Sequence, residues 1–278
     1  MKLANVIMST AIILLSSTAA LAVPRSTAPA TQNAAAPTKQ AAPAAAQKSP
    51  APKTQAEYDA YKAAAAQTDA AKLEQAATDF AQKFPASELR PFLFQQAMGM
   101  YQQANNPDKT LEMARATLKY DPSNPVALLT AGQMLAERTH DNDLDKDDRL
   151  AEANTDATNA LQHADQVPQP PNMTPEQFAA ALAQLRGTAH EVIATVAFKK
   201  ADYFTAIKEY NAAINEEKEH TDGVVWLRLS VAHDKSGDYK AANESVQKAI
   251  DASEPGSQIR QLAEQEKARL DKLNVIKK

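Results

Sequence analysis

The 278-residue chain carries 30 Lys and Arg against 34 Asp and Glu, a formal charge of −4, with no cysteine and six glycines. Lack of cysteine excludes disulfides, thiolate metal sites and a lipid-modified N-terminal Cys. A mildly acidic chain without a dense basic patch is a poor partner for nucleic acid, and glycines never closer than 14 residues (Gly223 to Gly237) leave no Gly-rich phosphate loop.

Residues 1–22 hold one charge, Lys2, then an apolar run through Ile12, Ile13, Leu14 and Leu15, and end in Ala20, Leu21, Ala22. That is the pattern of a secretory signal peptide with a small-x-small cleavage site, so the mature chain is expected to start at Val23 and to be periplasmic or secreted. The alternative is an uncleaved anchor, since the uncharged stretch approaches the roughly 20 residues that span a bilayer. Ser9, Thr10, Ser16 and Ser17 dilute it. Cleavage would remove Lys2, leaving 29 basic against 34 acidic residues, or −5, and no stable membrane span. Residues 23–53 are rich in Ala, Pro, Thr, Gln and Ser, too poor in large apolar side chains to offset the entropy of ordering, and read as a disordered linker.

From residue 54 to 278 the chain reads as helix pairs. A first helix over about Thr54 to Ala66, with Tyr58 and Tyr61, is followed by a second carrying Leu73, Ala77 and Phe80 that closes at Phe84-Pro85. Another pair runs over about Glu88 to Ala104, with Phe94, Ala97 and Tyr101, then through Thr110, Ala114 and Thr117 to Tyr120-Asp121-Pro122. A third begins near Asn124 with Leu128, Ala131, Gly132 and Leu135, and its second helix holds Ala153, Ala157, Ala160 and Ala164. Asn106-Pro107, Asn124-Pro125 and Thr174-Pro175 each place an N-cap residue before a proline suited to the first helical position, and Gln177 completes a capping box with Thr174. From Pro175 to Lys200 only Gly187 interrupts, which predicts one extended helix. After Ser257, Ile259, Leu262, Ala263, Leu270, Leu273 and Ile276 lie mostly on one helical face.

One pattern is written twice: ADYFTAIKEYNAAI and GDYKAANESVQKAI. Setting Ala206 against Ala242, 36 residues on, aligns Asp202 with Asp238, Tyr203 with Tyr239, Tyr210 with Val246 and Ala213 with Ala249; Trp226 stands sixteen residues before Ala242, and Phe94 at the matching place earlier. This resembles the tetratricopeptide repeat (TPR), a helix-turn-helix unit of about 34 residues. The resemblance implies an all-α solenoid of about five helix pairs with a C-terminal capping helix, and a scaffold that binds a protein or peptide rather than an enzyme. It gives structural roles to Phe94, Tyr101, Gly132, Ala206, Tyr210, Ala213, Trp226, Ala242 and Ala249. First helices line the groove in that family, at offsets that here select Tyr58, Lys62, Gln95, Gln102, Leu129, Gln133, Glu191, Phe198, Leu227 and Lys235. Phe84-Pro85-Ala86-Ser87 with the aromatic helix after it also resembles repeats of outer-membrane assembly and cell-division coordinators, which makes a structural part of an envelope machine the alternative. Those assembly lipoproteins carry an anchoring cysteine that this chain lacks.

Groups able to do chemistry are sparse, and no cofactor or metal is expected. His190-Glu191 begins a zinc-protease motif, but Ala194 stands where the second histidine is needed. His140, His163, His220 and His233 have no motif partners, and no G-x-S-x-G turn is present. Asp141, Asp143, Asp145 and Glu152 match places 1, 3, 5 and 12 of a calcium loop, yet Lys146 replaces the glycine its sharp turn needs. A solvated acidic turn leading into a helix N-terminus accounts for these carboxylates, with a calcium-responsive protein as the lesser reading.

Overall fold

The computed structural model describes residues 50–276 apart from 171, 219 and 220, without the side chains of 274–276. The expected signal peptide, and the expected linker up to residue 49, lie outside the described residues. Eleven α-helices follow one another, with no strand among the described residues: α1 (Gln55–Ala65), α2 (Ala70–Lys83), α3 (Arg90–Gln103), α4 (Pro107–Tyr120), α5 (Pro125–Arg138), α6 (Lys146–His163), α7 (Pro175–Lys199), α8 (Tyr203–Glu217), α9 (Gly223–Ser236), α10 (Tyr239–Asp251) and α11 (Gln258–Ile276). The fold is an α-solenoid of five TPR-like helix pairs closed by α11.

Most helix starts are fixed by a local cap, α3 and α6 being exceptions. Asn106, Asn124 and Thr174 accept from backbone N–H groups two or three residues into α4, α5 and α7, and Thr174 with Gln177 forms the reciprocal capping box at 3.3 and 2.9 Å. Asp69, Asp202, Asp222 and Asp238 cap α2, α8, α9 and α10 in the same way. The turns inside three pairs share one geometry. Asn105, Ala201 and Gly237 adopt left-handed φ values of 52°, 59° and 87°, and the next residue's N–H bonds back to Tyr101, Ala197 and His233 carbonyls at 2.9 Å in each case. That closure satisfies the helix-end carbonyls. Glycine meets the backbone requirement without strain only at 237.

Successive elements pack pairwise, and α1 with α3, α5 with α7 and α9 with α11 also touch, Arg228 linking α9 to α5 and α7, so first helices of neighbouring pairs meet in what is here called the inner layer. Small residues set the spacing. A Cβ on Gly132 would stand 3.0 Å from the Ala153 carbonyl oxygen, and one on Gly223 2.9 Å from that of Ala249, so α5 on α6 and α9 on α10 approach as closely as backbones allow. Ala77, Ala114, Ala157, Ala206, Ala242 and Ala249 are fully buried on the second helices. Phe94, Tyr101, Tyr210 and Ala213 are also buried, and Phe94 stacks on Tyr120 at 5.6 Å. Trp226 is half-buried and joins two core clusters, one spanning α7 to α9 and one spanning α9 to α11. At the other end α1 fully buries only Glu57 and Ala64, so the Ala-rich first pair has little packing to hold it closed. None of the described helices is long and apolar enough to cross a membrane.

Candidate functional site

The inner layer sorts the sequence-selected positions into two groups. Tyr58 and Lys62 lie along α1, with the Lys62 ammonium 5.3 Å above the Tyr58 ring. Gln95 accepts from Asn124 Nδ2 at 3.1 Å, while Gln102 and Gln133 each hold an amide oxygen out of solvent with no hydrogen-bond partner. Lys235 is exposed near the end of α9. Leu129 and Leu227 belong to the core, at 2% and 1% exposure, and Phe198 packs edge-on against Tyr203 at 5.5 Å. The reason is geometric: a first helix packs on its own second helix and on the neighbouring pairs, so α5 buries ten of its residues and its apolar surface is wider than one stripe.

A small pocket with room for about one water molecule lies between α5, α7 and α9, lined among others by Gln133, Glu137, Glu191, Thr195 and Arg228. Arg228 Nη2 donates to Glu137 Oε1 at 3.1 Å, and its Nη1 stands 3.6 Å from Glu191 Oε2, an ion pair too long for a hydrogen bond. Behind it Tyr210 and Thr195 share a hydroxyl contact of 3.3 Å. Lys199 donates from Nζ to the Glu137 and Thr139 carbonyls at 3.1 and 2.6 Å, which ties the end of α7 to the end of α5. Desolvation pushes the Glu191 carboxyl up to about 8; Arg228 opposes the rise, and Glu217, Asp222 and Glu137 add to it. Glu217, whose carboxylate covers Gly187, is pushed up to about 7 by desolvation and by Asp222.

These raised values fix a pH dependence. A carboxyl that holds its proton more tightly folded than unfolded contributes stability that is full below about pH 4.5 and is lost as pH rises through the folded value. Glu191 and Glu217 should therefore make the protein melt at a lower temperature at about pH 8.5 than at about pH 6.5, and Glu191→Gln should flatten the slope. His233 opposes this only below its ordinary range, because burial depresses its folded value. Thermal melts across the series, with no flattening in the variant, would remove Glu191 as the source.

The carboxylates of the acidic turn are spread over different partners, with Asp143 and Asp145 both near Arg149. Asp141 accepts from Lys146 Nζ at 2.8 Å, Asp143 from the His140 N–H at 2.8 Å, and Glu152 from Arg115 Nη2 at 2.7 Å. Asp145 is 3.9 Å from Arg149, and no three metal-ligating groups converge among the described residues. Millimolar calcium should leave the melting temperature unchanged; a site filled to a hundred times its dissociation constant would add about 2.7 kcal/mol, easily seen in a melt. His190 is committed elsewhere, its Nδ1 2.7 Å from Glu209 Oε2, and His163 Nδ1 meets Gln166 at 3.1 Å. His220 lies outside the described residues.

Arg228 and Glu137 are the residues that pattern reading passed over. Arg228 sits among Trp226, Leu227 and Leu229, a place where a cation must find a carboxylate or leave the core. That interruption of an apolar run was the available signal.

No family model matches the chain, and no curated protein matches it. Among solved structures it is similar to the assembly chaperone of RpL4, with 10% identity, a TM-score of 0.40, and coverage of 78% of this chain and 96% of that one. It is also similar to a tetratricopeptide repeat protein from Parabacteroides merdae, with 13% identity, a TM-score of 0.30, and coverage of 77% and 99%. Both superpose too loosely to bear on function. What the helix pairs, their shared turns and their two layers establish is the fold: the chain is a TPR-like α-solenoid.

Proposed function

We propose that the chain is an exported scaffold, tethered by its Ala/Pro-rich segment, that binds an extended peptide or a segment of another protein along the inner face of its first helices. The observation that carries this reading is the pair of amide oxygens on Gln102 and Gln133, desolvated and unpartnered on successive first helices. Leaving a buried acceptor unpaired costs about 1–3 kcal/mol, a cost that a bound chain with donors would remove. Export rests on the signal pattern of residues 1–22.

A photo-cross-linking residue placed at Gln102 in the native cell should trap a discrete partner, while one at Arg115, which pairs with Glu152 on the outer layer, should not. Adducts from the outer position alone would overturn the inner-face reading. Fractionation tests the rest. Recovery in the soluble envelope fraction supports a scaffold, and stable co-sedimentation with envelope complexes would favour the alternative of a machine component.

A further inference from the structure

We propose that the pocket between α5, α7 and α9 takes a primary ammonium group, the lysine side chain of the bound segment, held by Gln133 and Glu191. This rests on the inner-face reading above and names the chemistry of one subsite within it. The groups short of partners here are acceptors. Gln133 Oε1 has none, and Glu191, 7% exposed, has only the 3.6 Å approach of Arg228, which is already committed to Glu137. A ligand that brings donors meets both of these oxygens, and an ammonium brings three.

Charge points the same way. Glu191 is close enough to Glu137, Glu217 and Asp222 to feel all three, against one guanidinium, Arg228; Lys199, the other cation nearby, spends its donors on the Glu137 and Thr139 carbonyls. An incoming carboxylate would make the Glu191 carboxylate still harder to form, whereas a cation would favour it. Size then chooses between cations. The pocket has room in all for about one water-sized group, which matches an ammonium head and is too small for the planar fork of a second arginine. Glu191 would ionise on binding, so the complex should tighten as pH rises through the Glu191 value.

The test is a selection of peptides from a random displayed library on the purified protein, followed by binding of the synthetic winners. Lysine at one fixed position is expected, and acetylating that lysine should weaken binding on the order of tenfold, the worth of a charged hydrogen bond. Gln133→Leu and Glu191→Gln, checked by thermal melts to be folded, should weaken the lysine peptide by a similar factor and leave the acetylated one unchanged. Between about pH 6 and about pH 9 affinity should rise for the wild type and stay flat for Glu191→Gln. Winners that are lost on Gln102→Arg but show no fixed lysine, or that prefer arginine, overturn the ammonium inference and leave the inner-face reading standing. Winners indifferent to Gln102→Arg, or none at all, overturn both.

Discussion

Replacing Arg228 with alanine is expected to lower the unfolding free energy by about 3 kcal/mol, the usual result of leaving a desolvated charge without its partner. The guanidinium joins three first helices, reaching Glu137 on α5 and Glu191 on α7 from its own place on α9. Its removal leaves two carboxylates in an acidic, largely dry neighbourhood. Glu191 can respond by keeping its proton, because its folded value is already raised. Glu137→Gln combined with Arg228→Met should recover much of the stability, since removing both members of a pair costs far less than removing one. Chemical denaturation of the single and double variants measures this. Arg228→Ala at wild-type stability would show that the pair is solvated and carries no weight.

Trp226→Ala should cost about 3 kcal/mol, the lower part of the range for truncating a large aromatic, because the ring is half-buried rather than enclosed. It joins the cluster that includes Tyr210 and Val225 to the one that includes Val246 and Leu270, and the Lys248 ammonium lies 4.4 Å above it. In a solenoid each repeat leans only on its neighbours, so the damage should stay local. Limited proteolysis should open the region from about Asp202 onward while α1 to α6 remain protected. Gln102→Ala, on the inner face, should leave the same digestion unchanged. A Trp226→Ala protein that keeps its melting temperature and loses its partner would place the ring in an interface instead of the core.

The helix pairs were legible in the sequence because their signals are local. An Asn or Thr before Pro107, Pro125 and Pro175 starts a helix whatever surrounds it, and the alanine spacing that aligns Ala206 with Ala242 reports a crossing that only small side chains permit. Gly237 marked its turn for the same reason. Ala201 did not, although it adopts the same left-handed backbone, because the hydrogen bond from Asp202 to Ala197 and the packing of α7 on α8 impose it. The inner face was only partly legible. Repeat offsets brought Gln102, Gln133 and Glu191 to one layer, yet they also chose Leu129 and Leu227, which contacts from neighbouring pairs turn into core. The Arg228 pocket belongs wholly to the tertiary structure. Its members come from three helices far apart in the chain, and neither the pairing of Arg228 with Glu137, 91 residues away, nor the raised Glu191 carboxyl exists until α5, α7 and α9 exclude water together. Desolvation is a property of the assembled layer, and no single stretch of sequence carries it.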